Sequence, residues 1–468
     1  MIELFVEAEA EPSGGQVDSM RFMPHTGNDV ASMLETIGAK HLDDLIAHVP
    51  ATLRASATIN LDHGRSEADV VREISALAAR NTGASGFSSF LGAGYYRHYV
   101  PAAVHAVIAR AEFATGYTPY QAEASQGTTQ AIFEFQTLIM QLTAMEVANA
   151  SMYDGASAVA EAVLMARRLM PRRPVVALSR ALWPEYRATI RTYLSALDGL
   201  DIVEVPFDEA TGATDLSALE HIANDRLLCM VTGYPNALGI IEPLGAIAQM
   251  THRAGALAIS ATAEGIALGL LRAPSELGVD IAVGEGQSFG LPLQFGGPGV
   301  GFMAARLTHL RQMPGRLVGQ TRDRDGRRAF CLTLNTREQH IRRERATSNI
   351  CTNHSLCALA ATVYLSLMGR VGLRELAERN VELAHQAVAV LEGAGIRRRF
   401  SGPFFNEFAL KLANPSAALK AAERKQILAG VALGGDYPEL SDALLVSVTE
   451  MNHGDEFSRL AAAIAEVR

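Results

Sequence analysis

Residues 227–260, LLCMVTGYPNALGIIEPLGAIAQMTHRAGALAIS, give the clearest indication of fold class in this 468-residue chain. The apolar runs LLCMVT and ALAIS have the length and composition of buried strands, and GAIAQMTHRAG between them has the spacing of apolar residues typical of a helix. A strand, a helix and a second strand form the unit from which parallel sheets are built. The stretch therefore predicts an α/β domain.

The same alternation continues on both sides of this unit. Four more runs are predicted as strands and two longer patterns as helices, namely PVVALS, DIVEVP, DIAVG and VGFMAA for the strands, and SAVAEAVLMARRLM and PEYRATIRTYLSAL for the helices. We therefore expect a mainly parallel sheet. Since such sheets bind ligands at the carboxyl ends of their strands, a site is expected in the loops that follow the strands.

The sequence pattern divides the chain into four regions. They are a disordered tail at 1–22, a helical amino-terminal arm at 23–110, the large α/β domain at 111–330 and a smaller carboxyl-terminal α+β domain at 331–468. In the arm, DVASMLETIGAKHLDDLIAHVP has helical spacing, with Asp29 as the expected N-cap. The last region is expected to hold two long helices, SLCALAATVYLSLMGR and LRELAERNVELAHQAVAVLEGAG, and two strands, PFFNEFALKL and ALLVSVTE.

Composition excludes several classes of function. With 49% hydrophobic and 19% charged residues the chain is typical of a folded soluble protein, and a net charge of -9 without a basic stripe argues against a nucleic-acid partner. No apolar run approaches the ~20 residues that cross a bilayer, and the start MIELFVEAEAEPSGG is acidic where a secretory signal is basic. The four cysteines have no metal-ligand spacing. We expect a cytoplasmic protein without a metal site.

Lysine is almost absent. The chain has only Lys40, Lys411, Lys420 and Lys425, so residues 41–410 contain none. A genome that prefers arginine codons is the simplest cause. Whatever the cause, no central lysine is available to bond covalently to a carbonyl group of a cofactor.

Two polar aromatic segments are candidates for a binding surface. LGAGYYRHYVP at 91–101 contains Tyr95 and Tyr96, and YTPYQAEASQG at 117–127 contains Tyr117, Thr118, Tyr120, Ser125 and Gln126. Tyrosine in a loop commonly packs with its hydroxyl in water. Two such clusters between glycines and prolines are better explained by the wall of a pocket or of an interface.

Three further motifs leave alternatives open. SMYDGAS at 151–157 precedes a helix, whose amino terminus suits a phosphate, but simple capping by Asp154 is the favoured alternative. GGPGVG at 296–301 is a tight turn or a place of close approach to a ligand or a neighbouring subunit. RRERATSNICTN at 342–353, with Asn349 and Asn353, marks a domain junction first and a carboxylate clamp second.

These segments, taken in order, resemble glycine decarboxylase, the P protein of the glycine cleavage system. Within that family they are similar to its amino-terminal half, which many bacteria make as a separate subunit 1. The resemblance runs from about Pro24 to the end of the chain. Its motifs are LGAGYYRHYVP, YTPYQAEASQG, NASMYDGASAVAEA, GEGQSFGLPLQFGGPGVGF, RLVGQT, RRERATSNICTN and PFFNEFAL.

The resemblance implies the aspartate-aminotransferase fold, fold type I of the pyridoxal-phosphate-dependent transferases, and it implies that the cofactor positions are altered here. In the companion subunit 2 the residues comparable to 286–289 are His-Lys-Thr-Phe, and that lysine bonds to pyridoxal phosphate. Here Gln287 holds the place. The aspartate that pairs with the pyridine nitrogen corresponds to Ser260, and a neutral hydroxyl cannot replace it. The phosphate position falls near Asp154, whose charge opposes it.

The resemblance also implies a function in a complex. Two copies of this subunit and two of subunit 2 would decarboxylate glycine with pyridoxal phosphate held by subunit 2, and transfer the aminomethyl group to the lipoyl arm of the H protein. The polar residues Tyr95, Tyr96, Tyr117, Thr118, Tyr120, Ser125, Gln126, Asn349 and Asn353 are expected to line that site at the subunit boundary. The alternatives are a purely structural subunit and a self-sufficient pyridoxal-phosphate enzyme, for which a lysine is missing.

Overall fold

The computed structural model describes residues 25–57, 64–350 and 352–467, so the tail expected at 1–22 lies outside the described residues. Two compact units are present, one that ends at Thr82 and one that begins at Gly83. The expected boundary at residue 110 therefore differs from the structural one.

The first unit is helical. Its helices are α1 Gly27–Ile37, α2 Leu42–Leu45, α3 Ala51–Ser56 and α4 Glu67–Ala78. The prediction that Asp29 is the N-cap of α1 is wrong, because that position is held by Thr26. Thr26 is the N-cap and accepts a bond from the Asp29 amide, while the Asp29 carboxylate accepts from the Thr26 amide. Asp29 is thus the third residue of the helix and the partner of Thr26 in a capping box, a motif that satisfies two helix-end donors at once.

The second unit contains the central sheet. Its strands are β1 Ser88–Ser89, β2 Val147–Ala148, β3 Val175–Ser179, β4 Asp201–Val205, β5 Leu227–Gly233, β6 Leu257–Thr262, β7 Ile281–Glu285, β8 Gly301–Ala305, β9 Leu317–Arg322, β10 Arg328–Thr333, β11 Glu407–Lys411, β12 Ile427–Leu428, β13 Val431–Ala432 and β14 Ala443–Ser447. Seven of them form one sheet in the order β2-β8-β7-β6-β5-β3-β4. Strands β3 to β7 run parallel, and β8 is antiparallel to β7.

Helices cover both faces of this sheet. The helices of the second unit, not all of which contact this sheet, are α5 Ala102–Ile108, α6 Ala111–Ala114, α7 Gln126–Thr143, α8 Gly155–Leu169, α9 Pro184–Leu194, α10 Leu216–Ile222, α11 Leu244–Arg253, α12 Gln339–Arg342, α13 Ser355–Gly393, α14 Pro415–Glu423 and α15 Gly454–Ala465. Alternate residues of one strand enter different cores. Val283 of β7 packs in the cluster with α8, whereas Ala282 packs in the cluster with α7 and α13. This alternation places the sheet between two layers of helices.

Two structural boundaries differ from the predicted domain limits. Strands β9 and β10 form an antiparallel hairpin, and β10 spans the predicted limit at residue 330. Residues 83–110 belong to the second unit, because β1 pairs with β12 and because Tyr96 and Val104 are buried there. Both differences depend on pairing between segments far apart in the chain, which local spacing does not reveal.

Helix α13 merges the two predicted helices of the last region. Gly369, with φ 59°, has non-helical backbone angles and lies between the two halves. By length and composition α13 alone among the described helices is apolar enough to cross a membrane. Here its buried residues pack in two cores, with Ala361 beside α7 and Leu391 beside the antiparallel sheet of β11, β14 and β13. Of the most apolar 18-residue window of α13, 44% is buried inside the fold.

Candidate functional site

A buried glutamate side chain lies at the edge of the central sheet where the parallel strands end. Glu285, the last residue of β7, accepts hydrogen bonds from the backbone amides of Gly155 at 2.9 Å, Gln287 at 3.0 Å and Val300 at 2.8 Å. The Tyr95 hydroxyl contacts the same carboxylate. Burial raises the pKa of Glu285 to about 7, against the lowering effect of the backbone amides. Glu285 therefore ties three separate backbone segments together.

Gln287 continues this arrangement two residues later. Its Nε2 donates to the carbonyl oxygens of Tyr96 at 3.1 Å and Leu291 at 2.7 Å, and its Oε1 accepts from the Tyr96 amide at 3.0 Å. The side chain is buried, at 2% exposure. Its amide is thus engaged inside the chain on both its oxygen and its nitrogen.

The amino terminus of α8 lies against Glu285. Asp154 caps the helix by accepting from the Ser157 amide at 2.7 Å, and the Ser157 hydroxyl accepts from the Asp154 amide at 3.2 Å. The structure thus confirms the capping alternative. A Cβ on Gly155 would overlap the Tyr186 hydroxyl, so glycine is required where the helix approaches the site.

Pyridoxal phosphate does not fit the residues at this edge. The helix amide that would suit a phosphate already donates to Glu285, so a phosphate would have to displace this hydrogen bond. Gln287 cannot form the covalent bond, and its polar atoms are engaged. Ser260 is buried in β6, and its hydroxyl finds no hydrogen-bond partner among the described residues. No cofactor chemistry is therefore assigned to this chain.

A buried network of acids surrounds the first tyrosine segment. His98 lies between two carboxylates, with Nε2 2.9 Å from Glu264 and Nδ1 2.8 Å from Glu450. Burial opposes the positive charge on His98, but the two carboxylates outweigh it and raise its pKa to about 10. His98 is therefore an imidazolium at neutral pH, and it joins the segment to two distant parts of the chain.

Glu407, at the start of β11, is a second buried acid of this network. It accepts from the Ala93 amide at 2.7 Å and from the Tyr96 hydroxyl at 3.0 Å. Burial, with added repulsion from Glu264 and Glu185, raises the pKa of Glu407 to about 8. Tyr95 and Tyr96 thus point into the chain and hold it together.

The second tyrosine segment forms a separate, more exposed group. Arg316 donates to Thr118 Oγ1 at 3.3 Å and to the Tyr120 hydroxyl at 3.2 Å, with its guanidinium 5.1 Å from the centre of the Tyr120 ring. Arg316 is 2% exposed, whereas Tyr117 and Tyr120 are 75% and 53% exposed. The Thr352 hydroxyl donates to the Tyr117 hydroxyl at 3.3 Å. A buried cation therefore orients hydroxyl groups at the surface.

The remaining candidates lie in different surroundings. Gln126 bonds the backbone of Phe330 in both directions, each at 2.9 Å, and so holds α7 to β10, while Ser125 immediately precedes α7. Asn353 is buried and donates to Ser151 Oγ at 3.0 Å. Asn349 is exposed. The residues that were expected to line one site therefore fall into two separate tyrosine groups and a set of residues that connect parts of the fold.

The loop that connects β7 to β8 begins at this site and has an unusual backbone. We call residues 286–300 the β7–β8 loop. Gln294 and Phe295 have positive φ angles of 38° and 56°, and Phe295 is fully exposed. At the end of the loop the Gly299 carbonyl accepts from His354 Nδ1 at 2.8 Å. The base of the loop is thus held firmly while its tip presents an aromatic ring.

Several residues of the site were not singled out by sequence. Glu407 is the single charge in the apolar run PFFNEFAL, and Glu285 follows the apolar residues IAVG in DIAVGEG. Such residues are buried only when they are hydrogen-bonded, and that is a usable signal. Arg316 offered no comparable signal, because arginine is common in this chain.

Comparison with known proteins identifies relatives over nearly the whole length. The family model described as "Glycine cleavage system P-protein" matches residues 20–464. A "Probable glycine dehydrogenase (decarboxylating) subunit 1" from Anaeromyxobacter dehalogenans (strain 2CP-C) is 51% identical over 446 residues, 95% of this chain and 99% of that protein. The protein of the same description from Geobacillus kaustophilus (strain HTA426) is 48% identical over 440 residues, 94% of this chain and 97% of that protein.

Solved structures agree with these relatives. The crystal structure of glycine decarboxylase (P-protein) of the glycine cleavage system, in inhibitor-bound form, matches with a TM-score of 0.87 and 43% identity, over 96% of this chain and 100% of that one. A sphingosine-1-phosphate lyase from Burkholderia pseudomallei K96243 matches with a TM-score of 0.65 at 17% identity, over 88% of this chain and 92% of that one, which bears on the fold alone. The predicted fold class is confirmed.

Proposed function

The chain belongs to the glycine cleavage system P-protein family, as a subunit of the decarboxylating glycine dehydrogenase, and we propose that it completes an active site whose pyridoxal phosphate is held by the partner, subunit 2. Two copies of each subunit form a heterotetramer in the cytoplasm. Glycine loses carbon dioxide there, and its aminomethyl group passes to the lipoyl arm of the H protein, whose disulfide is reduced.

One observation carries the proposal. In this chain the helix amide that would suit a cofactor phosphate donates to Glu285, and Gln287, where the family resemblance places the lysine of subunit 2, is bonded to Tyr96. Bound to the partner, pyridoxal phosphate supplies an electron sink for decarboxylation. The contribution of this chain to catalysis is to orient groups at the subunit boundary and to exclude water.

Arg316 and its neighbours are suited to that contribution. The hydroxyls of Thr118 and Tyr120 are held by a guanidinium that is itself buried, so they are oriented before any substrate arrives. Tyr117 and Tyr120 are exposed and therefore available to a partner's site. In the proposal they line the path of glycine or of the lipoyl arm.

Co-expression with a subunit 2 chain tests the proposal. We expect the two chains to co-purify and to release carbon dioxide from glycine only when both are present. Alone with added pyridoxal phosphate, this chain should show no visible absorbance that borohydride abolishes. Activity of this chain without subunit 2 would refute the proposal.

A purely structural role is the second candidate. Gln126 and Asn353 brace the chain itself, which favours it. Point variants at Tyr117 or Tyr120 that lose activity within an intact complex would exclude a purely structural role, whereas full activity in all of them would support it.

A further inference from the structure

We propose that Glu285 and Gln287 are positioning residues, which fix the β7–β8 loop to segment 91–101 so that both are presented in register to the partner's active site. This inference rests on the proposed function. It concerns the position where, by family resemblance, a cofactor would bind. In this chain the side chains of Glu285 and Gln287 occupy that position.

Glu285 joins the two ends of the loop. One carboxylate oxygen accepts from the amides of Gln287 and Val300, which are the second residue and the last of the β7–β8 loop, and the other accepts from Gly155 at the start of α8. A single side chain therefore closes the base of the loop and anchors it to a core helix. Removing an acceptor of this kind leaves three buried donors without a partner.

Gln287 joins the loop to segment 91–101. It bonds both the amide and the carbonyl of Tyr96, much as a neighbouring strand would, and it also bonds the carbonyl of Leu291 within the loop. The Tyr95 hydroxyl adds a contact to Glu285. The loop and the segment are thus cross-linked by the two side chains.

The cross-linked elements carry exposed aromatic rings. Phe295 is fully exposed at the tip of the loop, on backbone with positive φ at a non-glycine residue, and Tyr99 in segment 91–101 is 62% exposed. Behind Tyr99, the Glu450 carboxylate accepts from the Tyr99 amide at 2.7 Å. A surface of this kind, rigid at its base, suits the completion of a neighbouring site.

Two matched controls are present in the same chain. Gln136 is buried and bonds the amide and the carbonyl of Val318 at 2.9 Å and 3.0 Å, away from the loop. Glu242 is a buried carboxyl that accepts from Thr214 and Asn236. Gln287→Met can therefore be compared with Gln136→Met, and Glu285→Gln with Glu242→Gln, at equal side-chain volume and similar burial.

Hydrogen exchange on the full chain tests the clamp without any activity. In Gln287→Met the Tyr96 amide should exchange at least about tenfold faster, since it loses its acceptor. In Gln136→Met the Val318 amide should accelerate while the Tyr96 amide does not. Unchanged exchange of Tyr96 in Gln287→Met would overturn the inference.

The reconstituted complex tests the positioning. Per bound pyridoxal phosphate, Gln287→Met and Glu285→Gln should lower kcat for glycine-dependent carbon dioxide release about tenfold or more, with a smaller change in KM, whereas both controls keep the wild-type kcat. A merely structural role would lower the yield of complex and leave kcat per cofactor intact, which would overturn the inference. A wild-type mixture that releases no carbon dioxide would instead refute the proposed function, so the two failures are distinguishable.

Discussion

The Tyr96 hydroxyl donates to the Glu407 carboxylate at 3.0 Å and thereby joins segment 91–101 to the first residue of β11. Both groups are buried. We expect Tyr96→Phe to lower the free energy of unfolding by about 1–3 kcal/mol, because it removes a donor from a buried carboxyl group. Urea unfolding measures the change, and Tyr193→Phe, at a half-exposed position, serves as a control with little expected effect.

The stability of the protein should fall as the pH rises through the range in which Glu407 titrates. Burial holds the pKa of Glu407 at about 8 against an ordinary value of 4.5. Between these values the folded chain keeps a proton that the unfolded chain releases, so the free energy of unfolding decreases with pH, by up to about 1.4 kcal/mol per pH unit. The groups that face it are Tyr96, Glu264 and Glu185.

Glu407→Gln should remove this dependence. Urea midpoints of the wild type and the variant, measured from pH 5 to pH 8, are expected to converge at the acidic end and diverge toward the alkaline end, where the variant becomes the more stable of the two. A constant difference across the range would show that Glu407 ionises alike in the folded and unfolded chains.

His98 adds a second loss of stability at higher pH. Its pKa is raised from 6.5 to about 10 by Glu264 and Glu450, against the effect of burial. The stabilisation is fully present below pH 6.5 and is lost as the pH rises through about 10. His98→Gln should flatten the alkaline part of the stability profile, as measured by thermal unfolding between pH 7 and pH 10. A profile as steep as that of the wild type would contradict the ion pairs.

A lysine at position 287 should not restore cofactor binding. In Gln287→Lys the Glu285 carboxylate still accepts from the Gly155 amide, and Ser260 still cannot hold a pyridinium proton. We expect the purified variant, mixed with pyridoxal phosphate, to give no more borohydride-reducible absorbance than the wild type. Stoichiometric labelling at residue 287 would show that the place is open after all.

Tyr120→Phe should reduce the rate of the complex without dissociating it. The change removes an acceptor of Arg316, whose guanidinium is buried, and a loss of about 1.5 kcal/mol corresponds to roughly tenfold in rate. Carbon dioxide release and aminomethyl transfer to the H protein are the measurements, with co-purification as the check on assembly. Tyr117→Phe gives the companion test, and full rates in both variants would count against the proposed lining.

The regular elements of the large domain were predictable from the sequence because their signals are local. The runs LLCMVT and ALAIS became β5 and β6, and DIAVG became β7, since buried parallel strands are short and uniformly apolar. Strand β10, which spans the predicted limit at residue 330, could not be predicted, for the opposite reason. Strand β10 is defined by its pairing with β9, and a six-residue hairpin strand that is mostly half-buried has no clear pattern of alternation of its own.

The candidate site was predictable only in part. The sequence pointed to Gln287, Ser260 and Asp154 by comparison with a family, and to the tyrosines by composition. It could not indicate that Tyr96 and Gln287 bond each other, because such a contact joins residues 191 positions apart. Nor could it separate tyrosines that face inward from those that face solvent, since hydroxyl orientation is decided by buried partners such as Glu407 and Arg316.

The carboxylate of Glu285 at the amino terminus of α8 also bears on stoichiometry. In the proposed complex, a second binding site for pyridoxal phosphate on this chain would compete with the site on subunit 2. Cofactor bound here could not take part in the reaction. Because the Gly155 amide already donates to Glu285, a cofactor phosphate would have to displace that bond, which weakens binding to this chain. We expect each pair of one subunit 1 and one subunit 2 to bind a single molecule of pyridoxal phosphate.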